Sequence, residues 1–397
     1  MKMNFATGPG WTGILVLANL GLLGAACTST NTTDTIPDGS TEASTPPPGT
    51  DAAAPDAGSV SVIDASPVDA GEGDATTPPD AALLTPVFLA RTNAPAEGLW
   101  EITPSANGGS GTTGTPLVSS VLAGQLLATV PDGGATVFGT AFAADGGGAS
   151  GTYALGITTD DASNVYYAVA AASASPAPSP GIYKLPPGGG AAAPFTLGSS
   201  VTPNMNFPNG LDFLGTKLFV ADSEGAVYAI DASGKATVWS QDSSLAPNAA
   251  ASSTTPACGL VPLAIGANGI AHDAKNVYVT NTDYGRLIAI PIAADGSAGT
   301  PAILKEDCAS LGGADGLVID QDGSFVIAVN AQDKIVRVTP AGKVTVLAAG
   351  APLATPGSVL FDTAGPGGAR RLLVTNTTFF SPADAGLSPG LLQIAIP

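Results

Sequence analysis

The feature that most constrains the fold is an internal repeat that begins near residue 84 and continues to the C-terminus. An apolar segment recurs that opens with one variable residue, then Gly, then Leu or Ile. The copies, the last of them looser, are Glu97–Leu99, Leu155–Ile157, Asn209–Leu211, Asn268–Ile270, Asp315–Leu317 and Pro356–Val359. A period of roughly 40 to 60 residues indicates a chain built from repeated supersecondary units.

Each copy except the last is followed by three further strand patterns. The second element alternates in side-chain direction and reads LFVADS, VYVTNT, FVIAVN and LLVTNT in successive repeats. The third and fourth elements form hairpins with a Gly-containing turn, as in GAVYAIDASGKATVW and KIVRVTPAGKVTVL. Period-two alternation interrupted by such a turn is typical of paired antiparallel strands. Each repeat therefore predicts four short antiparallel strands.

Six such units predict an all-β chain that folds as a six-bladed β-propeller over residues 84–397, an arrangement that leaves only short, protected sheet edges. The last unit contains only three strand patterns, and the segment Val87–Arg91 precedes the first unit. We therefore expect the N- and C-terminal strands to pair and close the ring. An alternative treats Gly98–Ile102 as a third strand and leaves residues 106–150 as an insertion.

The first 26 residues predict an export signal. Lys2 is the only early cation, and the uncharged apolar run that follows is short for a bilayer span. The ending Leu22–Cys27 resembles a bacterial lipoprotein signal, although Gly24 stands where Leu is usual. It predicts cleavage before Cys27 and lipidation of that cysteine, with ordinary cleavage after Ala26 as the alternative. The expected location is the outer membrane or cell surface; otherwise the protein is secreted or periplasmic.

Residues 27–83 predict a disordered tether. The segment is rich in Ser, Thr, Pro and Ala, carries many acidic residues and has no Lys or Arg, so it offers too little apolar surface to fold. We expect contact with a membrane only through the lipid anchor. The chain has a net charge of −19, and its 13 Lys and Arg are dispersed along the sequence. This argues against nucleic acid as a partner, because phosphate binding needs clustered cations.

The three cysteines predict one disulfide. Lipidation of Cys27 leaves Cys258 and Cys308, and both lie in segments that join the fourth strand of one blade to the first strand of the next. Such segments of adjacent blades neighbour each other on one face of a propeller. The pair is therefore expected to be bonded in an oxidising compartment.

The residue before Gly in each repeat is expected beside the central channel, on one face of the propeller. This position holds Glu97, Leu155, Asn209, Asn268, Asp315 and Pro356. Four of these side chains carry oxygen atoms, and such hard donors suit Ca²⁺ or Mg²⁺ better than a softer metal. The alternative is a solvated polar mouth, because Asn and Asp commonly precede Gly in turns.

Four motifs resemble the regucalcin–gluconolactonase (senescence-marker-protein) family. They read APAEGL, FPNGLDF, ANGIAHD and GADGLVIDQDG. The resemblance implies that Glu97, Asn268 and Asp315 bind a divalent cation, Ca²⁺ or Mg²⁺, and that Asn209 contacts substrate. The chain departs from the family at Trp100, which comes one residue early, and no Pro follows Gly98.

The resemblance implies an enzyme that hydrolyses a sugar lactone or related ester, with Asp315 assisting proton transfer from a cation-bound water. The expected partner is a small-molecule lactone, and the expected state is a monomer. The alternative is a non-catalytic propeller that binds a glycan, peptide or protein at the cell surface, because propeller motifs alone do not define an activity.

The remaining polar residues predict structural roles. His272 is the only histidine, and its register with Phe213 and Ile319 places it on the packed side of a strand, between blades. A Ser-His-Asp triad and a structural zinc site are therefore not expected. The polar residues near the end of each second strand are predicted to cap turns; they are Asp222, Asn281, Asn330 and Asn376.

Overall fold

The computed structural model of the chain describes residues 83–92, 95–102, 114–129, 133–140, 152–171, 178–248, 258, 265–362, 370–379 and 387–396. The predicted export signal, with Cys27, lies outside these residues, and so does the predicted tether except for Leu83. No helix in the described ranges is both long enough and apolar enough to cross a membrane.

The described residues form six antiparallel sheets, and each sheet is one blade. Blade one contains β2 (Ala96–Ile102), β3 (Thr115–Ser120), β4 (Gln125–Thr129) and β5 (Ala135–Thr140). Blade two contains β6 (Thr152–Thr159), β7 (Val165–Ala171), β8 (Gly181–Leu185) and β10 (Ala193–Leu197). Blade three contains β11 (Pro208–Leu214), β12 (Lys217–Asp222), β13 (Ala226–Ile230) and β14 (Ala236–Ser240).

The remaining blades repeat this order. Blade four contains β15 (Ala267–His272), β16 (Asn276–Asn281), β17 (Arg286–Pro291) and β18 (Ala302–Glu306). Blade five contains β19 (Ala314–Ile319), β20 (Phe325–Val329), β21 (Lys334–Val338) and β22 (Val344–Ala349). Blade six contains β23 (Pro356–Asp362), β24 (Arg371–Asn376), β25 (Gly390–Ala395) and β1 (Pro86–Arg91).

The ring closes through the two ends of the described chain, as the sequence predicts. Strand β1 pairs antiparallel with β25, so the N-terminal strand is the outermost strand of blade six. Strand β2 pairs with β3 alone and is the innermost strand of blade one. The alternative that made Gly98–Ile102 a third strand is therefore wrong.

A few short elements complete the fold. Strand β9 (Gly190–Ala191) lies between β8 and β10 and pairs in parallel with β5, which links blade two to the edge of blade one. A single helical turn, α1 (Cys308–Leu311), joins blade four to blade five, and 3₁₀ turns occur at Gly198–Ser200 and Asn330–Gln332.

The hydrophobic core lies between neighbouring blades. Because side chains alternate along a strand, one strand supplies both of its interfaces. In β12, Leu218 and Val220 pack toward blade two, whereas Phe219 packs toward blade four. Each of the described clusters joins two adjacent sheets in this way. The second strands are accordingly apolar on both faces. This packing of blade against blade places the first strands around a common axis.

The first strands form a closed inner ring. Each contacts the first strand of the next blade, in the order β2, β6, β11, β15, β19 and β23, and β23 contacts β2. These strands line a central channel of about 260 Å³. Side chains that project from the first strands therefore converge from separate parts of the sequence.

Candidate functional site

The predicted site position is a β-bulge in every blade. In blade three, Pro208 pairs with Asp222 and Leu211 pairs with Val220, so Asn209 and Gly210 lie opposite a single residue. The same two-against-one register occurs between the first and second strands of the other blades. A bulge bends the strand and re-aims a side chain. The residue before Gly is therefore in a strand, and turn formation does not explain its polar character.

Blade six corrects the predicted alignment by one residue. Pro356 pairs with Asn376 and Val359 pairs with Val374, so the bulge contains Gly357 and Ser358. Gly357, rather than the predicted Pro356, thus occupies the position of Glu97 and Asp315. Blade six contributes no side chain to the channel mouth at this point.

In blades one to five, the glycine at the second position of the bulge permits close approach to the next blade. A Cβ atom on Gly269 would lie 2.3 Å from the backbone oxygen of Asp315, and one on Gly210 would lie 2.5 Å from that of Asn268. Gly98 and Gly156 face the corresponding carbonyl groups of the next blade in the same way. Any side chain here would push the inner strands apart, which explains the repeated glycine.

The four predicted site residues converge in the channel. Glu97, Asn209, Asn268 and Asp315 all line it, and each is buried, with at most 7% of its surface exposed. Asp315 in blade five and Glu97 in blade one hydrogen-bond to each other through their side chains, although blade six separates their strands. Gly357 makes this contact possible, because a Cβ atom there would lie 2.6 Å from Oε2 of Glu97.

Burial controls the ionisation of the two carboxyl groups. Burial raises the pKa of Glu97 well above its usual range, and the charge of Asp315 and the hydrogen bond between the carboxyl groups raise it further. Burial also raises the pKa of Asp315, although donors from Asn330, Glu97, Gly316 and Asn268 favour its ionised form. In the absence of a cation, burial and the Asp315 contact therefore both favour the protonated form of Glu97, which donates that proton to Asp315.

Hydroxyl groups connect the bulges of neighbouring blades. Thr280 Oγ1 accepts a hydrogen bond from the Gly269 N–H at 2.8 Å and donates to the Asp315 backbone oxygen at 2.7 Å. Thr375 Oγ1 accepts from the Ser358 N–H at 2.8 Å and donates to the Glu97 backbone oxygen at 2.7 Å. The backbones that carry both carboxyl groups are thus held by the preceding blade.

Asn330 is a site residue whose place in the site the sequence prediction missed. Its Nδ2 donates to Asp315 Oδ2 at 2.9 Å. The prediction aligned Asn330 with Asp222, Asn281 and Asn376, but Val329 is the residue that pairs in their position, opposite Ala314. Asn330 instead corresponds to Ser223, Thr282 and Thr377, the residues just after the second strands. Alignment of the second-strand segments LFVADS, VYVTNT, FVIAVN and LLVTNT by their last residue would have revealed this correspondence.

The other aligned residues are turn caps, as predicted. Asp222 accepts hydrogen bonds from the Phe207 and Glu224 N–H groups, both at 2.9 Å. Asn281 accepts from the Tyr284 N–H at 3.1 Å, and Asn376 accepts from the Ala354 N–H at 3.1 Å. These side chains organise the loops on the site face.

His272 lies between two blades, as predicted, and it also lines the channel. Its Nδ1 is 2.6 Å from Oδ2 of Asp212 in blade three, and that hydrogen bond raises the pKa of the imidazole. His272 is four residues beyond Asn268 along β15. At about 3.4 Å for each residue of a strand, it is too far along the channel to contact the four-residue cluster.

The predicted disulfide is present. Cys258 and Cys308 are bonded, with their Cα atoms 5.3 Å apart. Cys308 begins α1, and the Cys258 N–H donates to the Asp283 backbone oxygen at 3.1 Å. The bond therefore joins the segments that precede β15 and β19, the strands that carry Asn268 and Asp315.

The donor set fits a hard divalent cation. It contains two buried carboxyl groups and the amide of Asn268, whose Oδ1 is buried without a hydrogen-bond partner. A buried acceptor without a partner is unfavourable unless something else bonds to it. No group of three or more His, Cys, Asp or Glu side chains that could hold a metal occurs in the described ranges, so amide oxygens would have to complete the set. Oxygen-only coordination suits Ca²⁺ or Mg²⁺.

Comparison with known proteins confirms the resemblance seen in the sequence. Residues 263–378 match the family model described as SMP-30/Gluconolactonase/LRE-like region. This segment covers blades four and five and the first two strands of blade six, and it contains Asn268 and Asp315. The chain thus folds as a propeller and is similar to this family within the matched segment. No curated protein matches the chain.

Solved structures share the fold at low sequence identity. A gluconolactonase from Xanthomonas campestris is 15% identical with a TM-score of 0.55, and the match covers 79% of this chain and 90% of that one. Regucalcin, a calcium-binding protein from Agrobacterium tumefaciens, is 18% identical with a TM-score of 0.53, covering 79% and 91%. A PQQ-bound aldose sugar dehydrogenase from Streptomyces coelicolor is 16% identical with a TM-score of 0.52, covering 79% and 99%. These likenesses show the propeller fold, and the activity has to be argued from the site.

Proposed function

We propose that the channel mouth binds one divalent cation, Ca²⁺ or Mg²⁺, through Glu97, Asn268 and Asp315. The observation that carries the proposal is the contact between two buried carboxyl groups beside the unpartnered Oδ1 of Asn268. Two carboxylates in contact repel each other unless a proton or a cation lies between them. A cation that displaces the Glu97 proton would satisfy both carboxylates and the amide oxygen together.

The proposed reaction is hydrolysis of a sugar lactone or a related ester. A bound divalent cation supplies Lewis-acid polarisation of a carbonyl group and lowers the pKa of a coordinated water. Asp315 would accept the proton from the attacking water, because its carboxyl group is buried in the channel beside the place proposed for the cation. Asn209 lines the same channel without contributing charge, and it would orient the substrate.

A cation titration tests the proposal. Ca²⁺ or Mg²⁺ should raise the melting temperature of protein stripped with chelator, since a hundredfold excess over the dissociation constant stabilises the fold by about 2.7 kcal/mol. Asp315→Ala and Glu97→Ala should abolish this response and lactone hydrolysis. Asn209→Ala is the matched control, because it should lose hydrolysis and keep the cation response.

Two results would change the conclusion. A wild-type protein that binds neither cation would exclude the proposed site. A protein that binds the cation and hydrolyses no lactone would instead support the alternative function, a propeller that binds a glycan, peptide or protein.

We also propose that the protein is exported and anchored through a lipid on Cys27. The signal-like N-terminus supports this location. The Cys258–Cys308 disulfide supports it independently, because such bonds persist in oxidising compartments. Cys27→Ser should move the protein from the membrane fraction to the soluble fraction with unchanged propeller stability. Retention of the variant in membranes would contradict the lipid anchor.

A further inference from the structure

One hydroxyl position recurs just outside the inner ring. It is the residue that follows the second strand, and it is occupied by Ser223 in blade three, Thr282 in blade four and Thr377 in blade six. All three side chains are buried. Thr282 Oγ1 donates to the Ala314 backbone oxygen at 2.6 Å, and Ser223 Oγ donates to the Ala267 backbone oxygen at 3.1 Å. Both contacts reach the first strand of the next blade.

These contacts determine how the neighbouring amides are oriented. A hydroxyl group has one hydrogen, and a backbone carbonyl can only accept it, so Oγ1 of Thr282 must act as acceptor in its remaining contact. That contact is with the Asn268 amide at 2.8 Å. The amide must therefore present its NH₂ group to Thr282. The ordinary ambiguity between the nitrogen and oxygen of an Asn side chain is removed.

The opposite end of the amide is then fixed as well. With Nδ2 directed at Thr282, Oδ1 of Asn268 is buried and has no hydrogen-bond partner. Asn209 is arranged in the same way, with Nδ2 3.4 Å from Ser223 Oγ. The shorter contact, in blade four, therefore orients the amide beside the carboxyl pair more strongly than the longer contact in blade three does.

We propose that Thr282 is a positioning residue that holds the Asn268 carbonyl oxygen available to a divalent cation. The inference rests on the proposed cation site. Without the hydroxyl, Asn268 Nδ2 loses one of its two acceptors and keeps only Asp315. The amide is then held less firmly and can turn a donor toward the cation. Thr282 itself need not contact the cation, the substrate or the reacting water.

Blade six supplies a matched control. Thr377 Oγ1 donates to the Thr355 backbone oxygen at 2.9 Å, so it also makes a buried hydrogen bond to a backbone oxygen, here within its own blade. The site position of blade six is Gly357, which has no side chain to orient. Replacement of Thr377 by Val removes a comparable hydrogen bond and leaves every proposed ligand in place.

The test measures Ca²⁺ and Mg²⁺ affinity by calorimetry on chelator-stripped protein, together with the melting temperature in chelator. Thr282→Val should weaken cation affinity by about 10- to 100-fold, the usual effect of losing a residue that orients a metal ligand. Thr282→Ser keeps the hydroxyl and should bind within about twofold of the wild type. Thr377→Val should lower the melting temperature in chelator as Thr282→Val does, with unchanged affinity. Thr282→Ala is measured as well, so that a folding defect of the Val variant does not prevent the comparison.

The outcomes separate this inference from the proposed function. Unchanged affinity in Thr282→Val or Thr282→Ala overturns the positioning role alone. An equal loss in Thr377→Val also overturns it, because the effect would then follow the stability of the ring. Absence of cation binding by the wild type removes the proposed site and the positioning role together.

Discussion

Gly357→Ala should impair the proposed cation site without contacting the cation. A Cβ atom at this position would lie 2.6 to 2.7 Å from Oε2, Cδ and Oε1 of Glu97, whereas ordinary contact begins at 3.4 Å. The carboxyl group must therefore withdraw by about 0.8 Å, the difference between those two distances. Coordination distances vary by only about 0.2 Å in a well-formed metal site, so this displacement is sufficient to remove a ligand.

The cost to the fold should be small. The atoms that the added methyl group would meet are the far end of a flexible side chain, and Gly357 does not have a positive φ. Replacement of Gly by Ala where the backbone permits it also stabilises by about 0.4–1 kcal/mol through the unfolded chain. Gly269→Ala is the contrasting variant. Its Cβ would lie 2.3 Å from the Asp315 backbone oxygen, so it should destabilise the propeller by about 1–3 kcal/mol.

Calorimetry with Ca²⁺ and urea unfolding of the chelated protein measure both effects. Gly357→Ala should lower cation affinity by at least about tenfold and leave the unfolding midpoint within error. Wild-type affinity in Gly357→Ala would refute the role assigned to Glu97.

Three further predictions concern the frame around the site. Burial raises the pKa of Asp222 to about 7, so the contribution of its protonated form to stability is present below the usual carboxyl pKa and is lost as the pH rises toward 7. In urea unfolding, Asp222→Asn should be less stable than the wild type at pH 4, because the Phe207 N–H loses its acceptor in the variant. The difference should shrink by pH 8. The raised pKa of His272 gives stability that is present below about pH 6.5 and is lost above it. His272→Gln should remove this pH dependence of the unfolding free energy between pH 6 and 8 in the same measurement. An unchanged pH profile would show that the contact with Asp212 does not contribute to stability. The double variant Cys258→Ser, Cys308→Ser opens a loop with a sequence separation of 50 and should lose up to about 4 kcal/mol of unfolding free energy, and a loss below about 1 kcal/mol would show that the blades hold these segments without the bond.

The blades, the ring closure and the converging residues could be predicted because they follow from local patterns. Alternation and Gly-containing turns define the hairpins, and the three-strand last repeat required a partner, which β1 supplies. The register of the bulges could not be predicted from local sequence patterns. In isolation Pro356–Gly357 resembles the other repeats, and only the pairing of Pro356 with Asn376 shows that the site position is Gly357.

Contacts between blades also could not be predicted from the sequence. Thr282 and Ala314 are 32 residues apart, and their hydrogen bond depends on how two separate sheets pack. The same is true of Thr375 and Glu97, which are 278 residues apart. Asn330 was misaligned because its blade has Val329 where blades three, four and six have Asp222, Asn281 and Asn376. Sequence spacing identified the candidate ligands, and the residues that orient those ligands required the structure.

The distribution of side-chain size around the ring explains why carboxyl groups from blades one and five meet. The six bulge positions are occupied by Glu97, Leu155, Asn209, Asn268, Asp315 and Gly357. Glu is the longest of these polar side chains, and it passes over the smallest residue to reach Asp315. A side chain in blade six would block that path, and an Asp in blade one would be too short to use it. Because a sugar dehydrogenase shares the same propeller fold, the fold alone does not select cation chemistry. In the proposed site, cation binding depends on which bulges carry oxygen donors and on the absence of a side chain at Gly357.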